Sequence, residues 1–576
     1  METRKCGGCT SEFVIDSEDS RFYEKVGAPA PRYCPQCRAQ RRLAWRNERT
    51  MYRRKCDLCK KDNIAIYPSS VLWPVYCAPC WWSDNWDPHS FALDYDSSKP
   101  FFVQFKELQS RVPRIGLLSL NSVNSEYTNN SADNKNCYIL FAAEKNEDCY
   151  YGRLVQSSKS VVDAAFVYES ELCYECVDCV KCYHCLWSER CQASSDLLLC
   201  FDVRDSNHCI FSTNLRHKSY CIGNVQYSKE EYEKEKKAIL SSWASIEAAK
   251  KQFEELKGQT IVKYAFQTKC KDATGDYLYN CHEGRMLFDT RNAKHTRFLA
   301  DAEDPIDCWD LNNAYYKPEL CYDIMGTLQS YNCKHCSFVF YARDMQYSDN
   351  CYNTKDCIGS IGLKKGEHCV LNKAYEKEEY ERLKAQIVAS LKAEGLYGSF
   401  FPPELSPFGY NETLAKDFWP LTKEQALERG FRWQDMTTGT FGKETMKIGA
   451  MPATIDEVQD SILDEILVCK SCGKNFRLTA GELQFYRRMH LPVPRYDFEC
   501  RHQMRMQKRT PRTLWHRNCQ CLSAEALAKV DAGAGYKNTV THLHTARACA
   551  NEFETAYAPQ RPEITYCESC YQVEVV

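Results

Sequence analysis

The chain has 576 residues, of which 44% are apolar and 26% are charged, and its formal net charge is -2. This length and apolar content can supply several packed cores, which excludes a disordered protein. The near-zero net charge does not favour general attraction to polyanions, although local basic patches can still exist.

The N-terminus indicates a cytoplasmic protein with reduced cysteines. METRKCGGCT contains no apolar signal segment, and no later apolar run approaches the roughly 18 residues of a membrane span. Thiols stay reduced in the cytoplasm, so the 36 cysteines are expected to bind metal or to pack as small apolar side chains.

Residues 1–112 are predicted to form a double zinc-ribbon module with a basic helix. Their cysteines occur as CxxC pairs, in which both thiolates can reach one ion, and two pairs complete a tetrahedral zinc site. An iron–sulfur cluster or an empty thiol cluster is the alternative. The predicted ligands are Cys6, Cys9, Cys34, Cys37, Cys56, Cys59, Cys77 and Cys80.

An arginine stripe follows the second CxxC pair. Its members recur at helical spacing with only Glu48 opposing them, and they are Arg38, Arg42, Arg46 and Arg49. A rigid cationic stripe suits phosphate backbones, so we expect contact with nucleic acid or a ribonucleoprotein. The alternatives are bonds inside the module or an acidic protein partner. Nearby Trp81, Trp82 and Trp86 are expected to cover a zinc core rather than stack on bases.

Residues 113–257 and 258–395 are predicted to be two blocks of hexad-repeat parallel β-solenoid, each followed by a helix. Apolar side chains recur every six residues from Cys137 to Cys221, with mostly small residues midway. Three hexads are expected to make one triangular turn that stacks Cys173, Cys191 and Cys209. The stretch ELCY recurs at an offset of 148, which defines the second block.

The run CYECVDCVKCYHC at 173–185 is interpreted as core filling, because Val, Leu and Ala occupy equivalent slots and cannot ligate metal. A metal or iron–sulfur cluster is the alternative. The helices that begin near Ser228 and Tyr375 are expected to cover the open strand edges at the block ends.

Hexad solenoids also include acyltransferases that use a surface histidine. His184, His208 and His217 therefore support an enzyme alternative, although no catalytic motif appears in the sequence.

Residues 396–465 are predicted to be a linker with short helices, and 466–576 a C-terminal zinc-ribbon module. The two chain ends align without a gap at an offset of 463, which lays Cys6 on Cys469. The predicted ligands at this end are Cys469, Cys472, Asp497, Cys500, Cys519, Cys549, Cys567 and Cys570. Asp497 replaces a cysteine, with His490 or His502 as substitutes, while Cys521, His542 and His544 compete for the last site.

The alignment also places four C-terminal arginines on the positions of the first stripe. They are Arg501, Arg505, Arg509 and Arg512. We expect them to form a second phosphate-binding stripe, on a helix that Pro511 shortens.

CKSCGKNFRLTAGELQFYRRMHLPVPRY followed by ECR, and its N-terminal partner ending in CPQCR, resemble the bacterial family named the probable zinc-ribbon domain. The family pattern is CxxCxxxF, an acidic residue before FY, and then PxxCPxCR. This resemblance implies a zinc ribbon at each end and implies little about activity. Taken whole, the chain resembles large, uncharacterised cysteine-rich proteins of candidate-phyla bacteria.

The sequence thus predicts a mainly β, multi-zinc architectural protein. We expect three to four zinc ions, all in the terminal modules, and binding of nucleic acid or a ribonucleoprotein through the arginine stripes. The alternatives are a scaffold with an acidic protein partner and a hexapeptide-solenoid, acyltransferase-like enzyme. The sequence indicates no membrane contact and no small-molecule substrate.

Overall fold

Short parallel strands form the middle of the chain in a computed structural model, and in the first block they pair at a constant register. The structure describes residues 1–298, 339–435, 439–522 and 548–576, strands at 312–315 and 325–328, and residues 536, 538–542 and 544. Paired residues lie 12 positions apart, as for Tyr138 with Tyr150 and Cys209 with Cys221. The expected stacking of Cys191 beside Cys209 is therefore wrong, because neighbouring strands are separated by two hexads and not by three.

A left-handed residue at every third position explains this register. From Ile139 to Tyr220, every third residue has a positive φ, for example +50° at Ile139 and +49° at Ala142. Each left-handed residue bends the chain, so one side chain per triplet points inward. The six-residue sequence period covers two triplets, and four triplets separate paired residues.

The first block spans short strands that pair in parallel except the last. Their bounds are Ser119–Leu120, Thr128–Asn129, Ser131–Ala132, Tyr138–Phe141, Tyr150–Gln156, Ala165–Tyr168, Val177–Val180, Ser195–Leu198, Asn207–Ile210, Ser219–Ile222 and Val225–Gln226. Isolated parallel bridges such as Val162 with Tyr174 continue the same spacing between them.

The second block is built in the same way, although its pairing spacing is 11 residues at Gln267 with Leu278 and 13 residues at Asn312 with Met325. Its strands are Gln267–Thr268, Gly275–Asp276, Leu278–Tyr279, Leu287–Phe288, Asn312–Tyr315, Met325–Leu328, Val339–Phe340, Arg343–Gln346, Cys351–Tyr352, Thr354–Ile358, Gly366–Val370 and Lys373–Ala374. The recurrence of ELCY at 319–322 lies outside the described residues.

Both blocks end with the same asparagine-held turn, which agrees with the predicted offset. Asn224 and Asn372 are left-handed, with φ of +66° and +68°. Their side-chain oxygens accept hydrogen bonds from the backbone N–H of Thr213 at 2.9 Å and of Ile361 at 2.7 Å. The strand after each turn pairs antiparallel with the last parallel strand and closes its edge.

Two helices, Lys229–Ile239 and Trp243–Gly258, follow the first block. Ser228 caps the first helix, as predicted. The helices pack along the side of the block, where Lys257 pairs with Glu189 at 3.1 Å. The edge of the last parallel strand is paired with the antiparallel strand Val225–Gln226 and not with a helix.

The remaining helices lie in the terminal modules, after the second block and in the linker. They are Ser17–Lys25, Pro35–Leu43, Ala78–Trp82, Phe101–Gln109, Lys377–Ala393, Ala415–Phe418, Lys423–Glu428, Ala480–Met489, Phe498–Gln507 and Glu568–Val575. Within the predicted linker, the stretch TIDEVQDSILDEIL, which the structure describes in full, forms the short 3₁₀ helix Asp460–Leu463 and no α-helix.

Antiparallel hairpins build the terminal modules. They pair Glu2–Lys5 with Glu12–Ile15, Tyr52–Lys55 with Asp62–Ala65, Leu467–Val468 with Asn475–Phe476, and Trp515–Asn518 with Glu552–Thr555. Short parallel pairs add Val75–Tyr76 to Arg114–Ile115 and Ile261–Lys263 to Ile564–Tyr566. The last pair joins the C-terminal module to the chain just after the first block.

Candidate metal centres

The first metal-ligating group joins a hairpin turn to the start of a helix. Cys6 and Cys9 come from the turn, Cys34 and Cys37 from the helix start, and their four sulfurs lie within 4.8 Å of one another. The sulfurs of Cys9 and Cys34 are 3.7 Å apart. The backbone N–H of Cys34 donates to the Cys6 sulfur at 3.2 Å.

The second group repeats this construction with Cys56, Cys59, Cys77 and Cys80. The sulfurs of Cys59 and Cys77 are 3.8 Å apart, and the Cys77 N–H donates to the Cys56 sulfur at 3.3 Å. The predicted N-terminal ligands therefore assemble into two four-sulfur groups.

In the first three ligand groups, the residue directly after the first CxxC pair has a left-handed backbone conformation. Thr10, Lys60 and Gly473 have φ of +64°, +63° and +75°. In each case the backbone N–H of this residue donates to the carbonyl of the first cysteine of the pair, at 2.9 to 3.1 Å. This turn aims both thiols of the pair at one point.

The third group contains Cys469, Cys472, Asp497 and Cys500. One carboxylate oxygen of Asp497 lies 3.0 Å from the Cys472 sulfur, while the other accepts the backbone N–H of Glu499 at 2.9 Å and so caps the helix Phe498–Gln507. The aspartate can thus serve as ligand and helix cap together.

The two histidines weighed as substitutes for Asp497 have other positions. His490 ends the helix Ala480–Met489 in a left-handed conformation, and buried His502 lies 3.7 Å from Asp417. Neither histidine belongs to the third group.

The fourth group contains Cys519, Cys549, Cys567 and Cys570. The sulfurs of Cys549 and Cys567 are 3.9 Å apart, and the Cys567 N–H donates to the Cys519 sulfur at 3.2 Å. The predicted competitors Cys521, His542 and His544 are not in this group. They form a neighbouring group that also contains Cys570.

Three of the groups each contain a cysteine whose thiolate is favoured. A hydrogen bond from the Cys37 thiol lowers the pKa of Cys34 to about 5, and one from Cys519 lowers the pKa of Cys567 to about 3. Burial raises the pKa of Cys56, but backbone N–H groups, first that of Cys77, bring it to about 7. The thiolate is the form of cysteine that binds metal.

The cysteines of 173–185 lie in the interior of the first block. They belong to one buried cluster with Val155 and Leu197. The Cys176 thiol donates to the carbonyls of Tyr174 at 3.6 Å and of Cys185 at 3.2 Å. Ser188, two hexads later, likewise donates to the carbonyl two residues before it. Cysteine therefore occupies the same kind of slot as serine, as core filling requires.

The first arginine stripe is buried. Each of its four residues is at most 7% exposed, and they are Arg38, Arg42, Arg46 and Arg49. The helix ends at Leu43, and beyond it Arg49 forms a bidentate pair with Asp417 at 2.7 and 2.9 Å and also contacts Glu499. The prediction that these side chains face a phosphate backbone is wrong, because protein carboxylates and packing enclose them.

Glu48 connects the first stripe to the central strands. Its carboxylate accepts Arg46 at 2.7 Å and Arg153 at 2.9 Å, and all three side chains are almost fully buried. Arg153 belongs to the strand Tyr150–Gln156, so this triad fastens the N-terminal module to the first block.

The second stripe is also buried. Its residues, each at most 6% exposed, are Arg501, Arg505, Arg509 and Arg512. Asp163 accepts Arg501 at 2.7 Å and Arg505 at 2.8 Å. The prediction of phosphate contact is therefore wrong here too, because block carboxylates occupy the guanidinium groups.

The remaining two arginines of the second stripe reach further along the molecule. Arg509 pairs with Asp178 of the first block at 3.0 Å and with Asp289 of the second, and Asp289 also accepts Arg512 at 2.7 Å. One arginine series thus contacts both blocks.

Sequence reasoning missed the acidic partners of these arginines. Asp163, Asp178 and Asp289 all occupy left-handed positions of the repeat. Aspartate adopts this conformation more readily than most residues, so its recurrence in phase with the triplets is a signal that the hexad pattern concealed.

Trp81 and two of the histidines named from the sequence contact other parts of the protein. Trp81 is fully buried, and its ring centre lies 5.2 Å from that of Tyr352 in the second block, which agrees with a covering role. His184 and His208 contact Asp196 at 2.7 and 2.6 Å, and this carboxylate also binds the helix Lys229–Ile239.

No family model matches the chain, and no curated protein matches it either. The zinc-ribbon resemblance therefore stays a prediction. Among the described helices, none combines the length and apolar character needed to cross a membrane.

Proposed function

We propose that the protein is a structural zinc protein, in which metal ions fix the terminal modules and the modules are fastened to a central β-solenoid. The observation that carries this proposal is the assembly of all sixteen predicted ligands into four compact groups. Each group draws on at least two separate chain segments, so an ion bound there would hold those segments together.

Sulfur spacing supports zinc as the ion. Zinc binds thiolates at about 2.3 Å in a tetrahedron, which places the sulfurs about 3.8 Å apart. The observed distances are 3.7 Å in the first group, 3.8 Å in the second and 3.9 Å in the fourth. Closed sets of four protein ligands leave no open position for a substrate, which is typical of structural zinc.

A solenoid is the simplest reading of the central register. Parallel pairing at a constant 12-residue spacing, with a left-handed bend every third residue, suits a coil with four three-residue sides. The buried cysteines, valines and leucines would then stack along the coil axis.

Buried ion pairs give the proposed scaffold its rigidity. Arg49 contacts the linker through Asp417 and the C-terminal module through Glu499, while Glu48 contacts the first block through Arg153. Removing one member of a buried pair leaves an uncompensated charge, so these contacts fix the relative positions of the parts they join.

Binding of nucleic acid or of an acidic protein partner was predicted from the two arginine stripes, and both stripes are buried. The exposed face of the first block also alternates in charge, with Glu147 between Lys135 at 3.1 Å and Lys159 at 3.2 Å. Such a face offers no uniform cationic field to a polyanion.

Chelation followed by hydrogen exchange tests the proposal. We expect a strong zinc chelator to increase amide exchange in the four terminal hairpins first, because each ion joins a hairpin turn or its strands to another segment. Strands such as Tyr150–Gln156 should stay protected at that stage. Unchanged exchange in the hairpins after complete metal removal would contradict a structural role.

A binding measurement on the same protein tests the alternative function, nucleic-acid binding through the arginine stripes. Labelled single-stranded RNA and duplex DNA are expected to show no salt-sensitive complex that depends on Arg49. A complex that weakens in Arg49→Gln, with the fold and metal content unchanged, would restore the nucleic-acid hypothesis.

A further inference from the structure

We infer that the C-terminal module holds, beside the ion of the fourth group, a further metal ion that shares the thiolate of Cys570 with it. The additional ligands are Cys521, His542 and His544. This inference goes beyond the proposed function, because it assigns a thiolate-bridged two-metal centre where the sequence predicted one site with competing ligands. It rests on metal binding by the fourth group.

The ligand atoms of this second set converge. The Cys521 sulfur lies 3.4 Å from Nδ1 of His542 and 3.2 Å from Nε2 of His544, and all four atoms including the Cys570 sulfur fall within 4.8 Å of one another. Cys521 is fully buried and Cys570 is 5% exposed. Two sulfurs and two imidazoles at this spacing form the S₂N₂ set that tetrahedral zinc takes.

A buried carboxylate supports His542 from behind. Nε2 of His542 lies 3.0 Å from Glu574, and the two side chains are 2% and 0% exposed. If Nε2–H donates to this carboxylate, the Nδ1 lone pair faces Cys521 and the proposed ion. Histidine ligands of zinc characteristically donate their other ring N–H to a carboxylate in this way.

Glu574 is itself held in place. It accepts the Tyr536 hydroxyl at 2.9 Å and the backbone N–H of Thr539 at 2.6 Å. Glu574 and Cys570 are four residues apart on the helix Glu568–Val575, so they lie on one helix face. One helix therefore supplies both the bridging thiolate and the carboxylate that orients the histidine.

Sharing Cys570 also improves the charge balance. Four thiolates around one divalent ion leave a buried net charge of about -2, whereas five thiolates and two neutral imidazoles around two ions leave about -1. The Asn538 amide also donates a hydrogen bond to the Cys521 sulfur at 3.4 Å. The second ion thus relieves an electrostatic cost of the first.

Native mass spectrometry of the full-length zinc-loaded protein tests this centre by counting ions. We expect His542→Ala combined with His544→Ala to lose one zinc ion per chain relative to the natural sequence. His516→Ala, an exposed histidine of the same module, should lose none. His544→Cys supplies another zinc ligand and should retain the ion, which separates loss of ligation from loss of folding.

Cys549→Ser, which alters the fourth group alone, separates the two hypotheses. If it loses zinc while the double histidine variant does not, the bridged centre is wrong and the structural zinc proposal stands. If neither variant loses zinc, both are wrong at this end of the chain.

Cadmium-113 nuclear magnetic resonance of the cadmium-loaded full-length protein tests the bridge itself. We expect two of the resonances, one typical of four sulfurs and one of mixed sulfur and nitrogen, to be split by mutual coupling through the shared thiolate. Two resonances without mutual coupling would overturn the sharing of Cys570.

Discussion

At the scale of single residues, burial decides what the arginines do. A guanidinium at a zinc ribbon has the right charge for phosphate, but Arg49 is 7% exposed and already has two carboxylate partners. Its bidentate geometry with Asp417 is the strongest form of the arginine–carboxylate contact. The same positions that suggest a binding surface in the sequence therefore serve internal cohesion.

Arg49→Gln is expected to destabilise the folded protein by about 3 to 5 kcal/mol, since it leaves the buried Asp417 carboxylate without its main cation. Arg53→Gln provides the matched control, because Arg53 is exposed on the adjacent hairpin and should change stability by at most about 0.5 kcal/mol. Denaturant unfolding of both variants makes the comparison. Equal stability of the two variants would show that the buried pair does not contribute.

The buried Glu189 is expected to make the stability of the folded protein depend on pH. Burial alone would raise its pKa, but Lys508 and Lys257 lower it to about 2. Because the folded-state pKa lies below the unfolded value of about 4.3, the stabilisation is present above that pH and decreases as the pH falls towards 2. The contribution is about 3 kcal/mol at neutral pH, with about half lost by pH 3.

This dependence can be isolated by comparing the natural sequence with Glu189→Gln. The difference in unfolding free energy between them should narrow as the pH falls from 5 to 3, while acid release of metal affects both proteins alike. A difference that stays constant across this range would contradict the pairing of Glu189 with the two lysines.

At the scale of elements, the six-residue apolar repeat is easier to recognise in the sequence than the left-handed bends that set which strands pair. The hexad slots were identified correctly: the cysteines at 173–185 share one buried cluster with Val155 and Leu197. The number of hexads between paired strands could not be predicted from the sequence, because stacking at either 12 or 18 residues keeps every apolar side chain inside. The left-handed bends that set the value 12 occur at Leu199 and Phe211 as well as at aspartates, so composition does not mark them.

Ligand sets, in contrast, were predictable because each CxxC pair is local. The turn after Cys9 or Cys59 determines where two thiols point, whatever lies elsewhere in the chain. Arginine partners were not predictable, since Arg501 meets Asp163 across 338 residues of sequence. A contact of that separation depends on the packing of whole modules, which no local pattern encodes.

Core and ligand cysteines should respond differently to serine. Cys176→Ser is expected to keep the full metal content and to cost at most about 1.5 kcal/mol, because serine fills equivalent slots and donates to the same carbonyls. Cys56→Ser should lose one ion. Metal analysis of both variants decides the matter, and loss of metal from Cys176→Ser would show that the core cysteines ligate.

At the scale of the whole molecule, the N-terminal and C-terminal modules contact each other. Gln36 of the N-terminal module donates to Thr513 of the C-terminal module at 3.0 Å, and Arg49 reaches Glu499 nearby. The linker helix Ala415–Phe418 contributes Asp417 to the same place. Buried ion pairs therefore join the two terminal modules and the two parallel blocks, and zinc is proposed to stabilise the modules themselves.

The central claim is that zinc occupies the terminal ligand groups. Native mass spectrometry of the purified full-length chain tests it most directly, because it identifies each bound ion by mass. The account predicts one zinc ion for each of the four terminal groups and one more for the Cys570-bridged set. A chain that carries iron, or that folds to the same state without any metal, would contradict it.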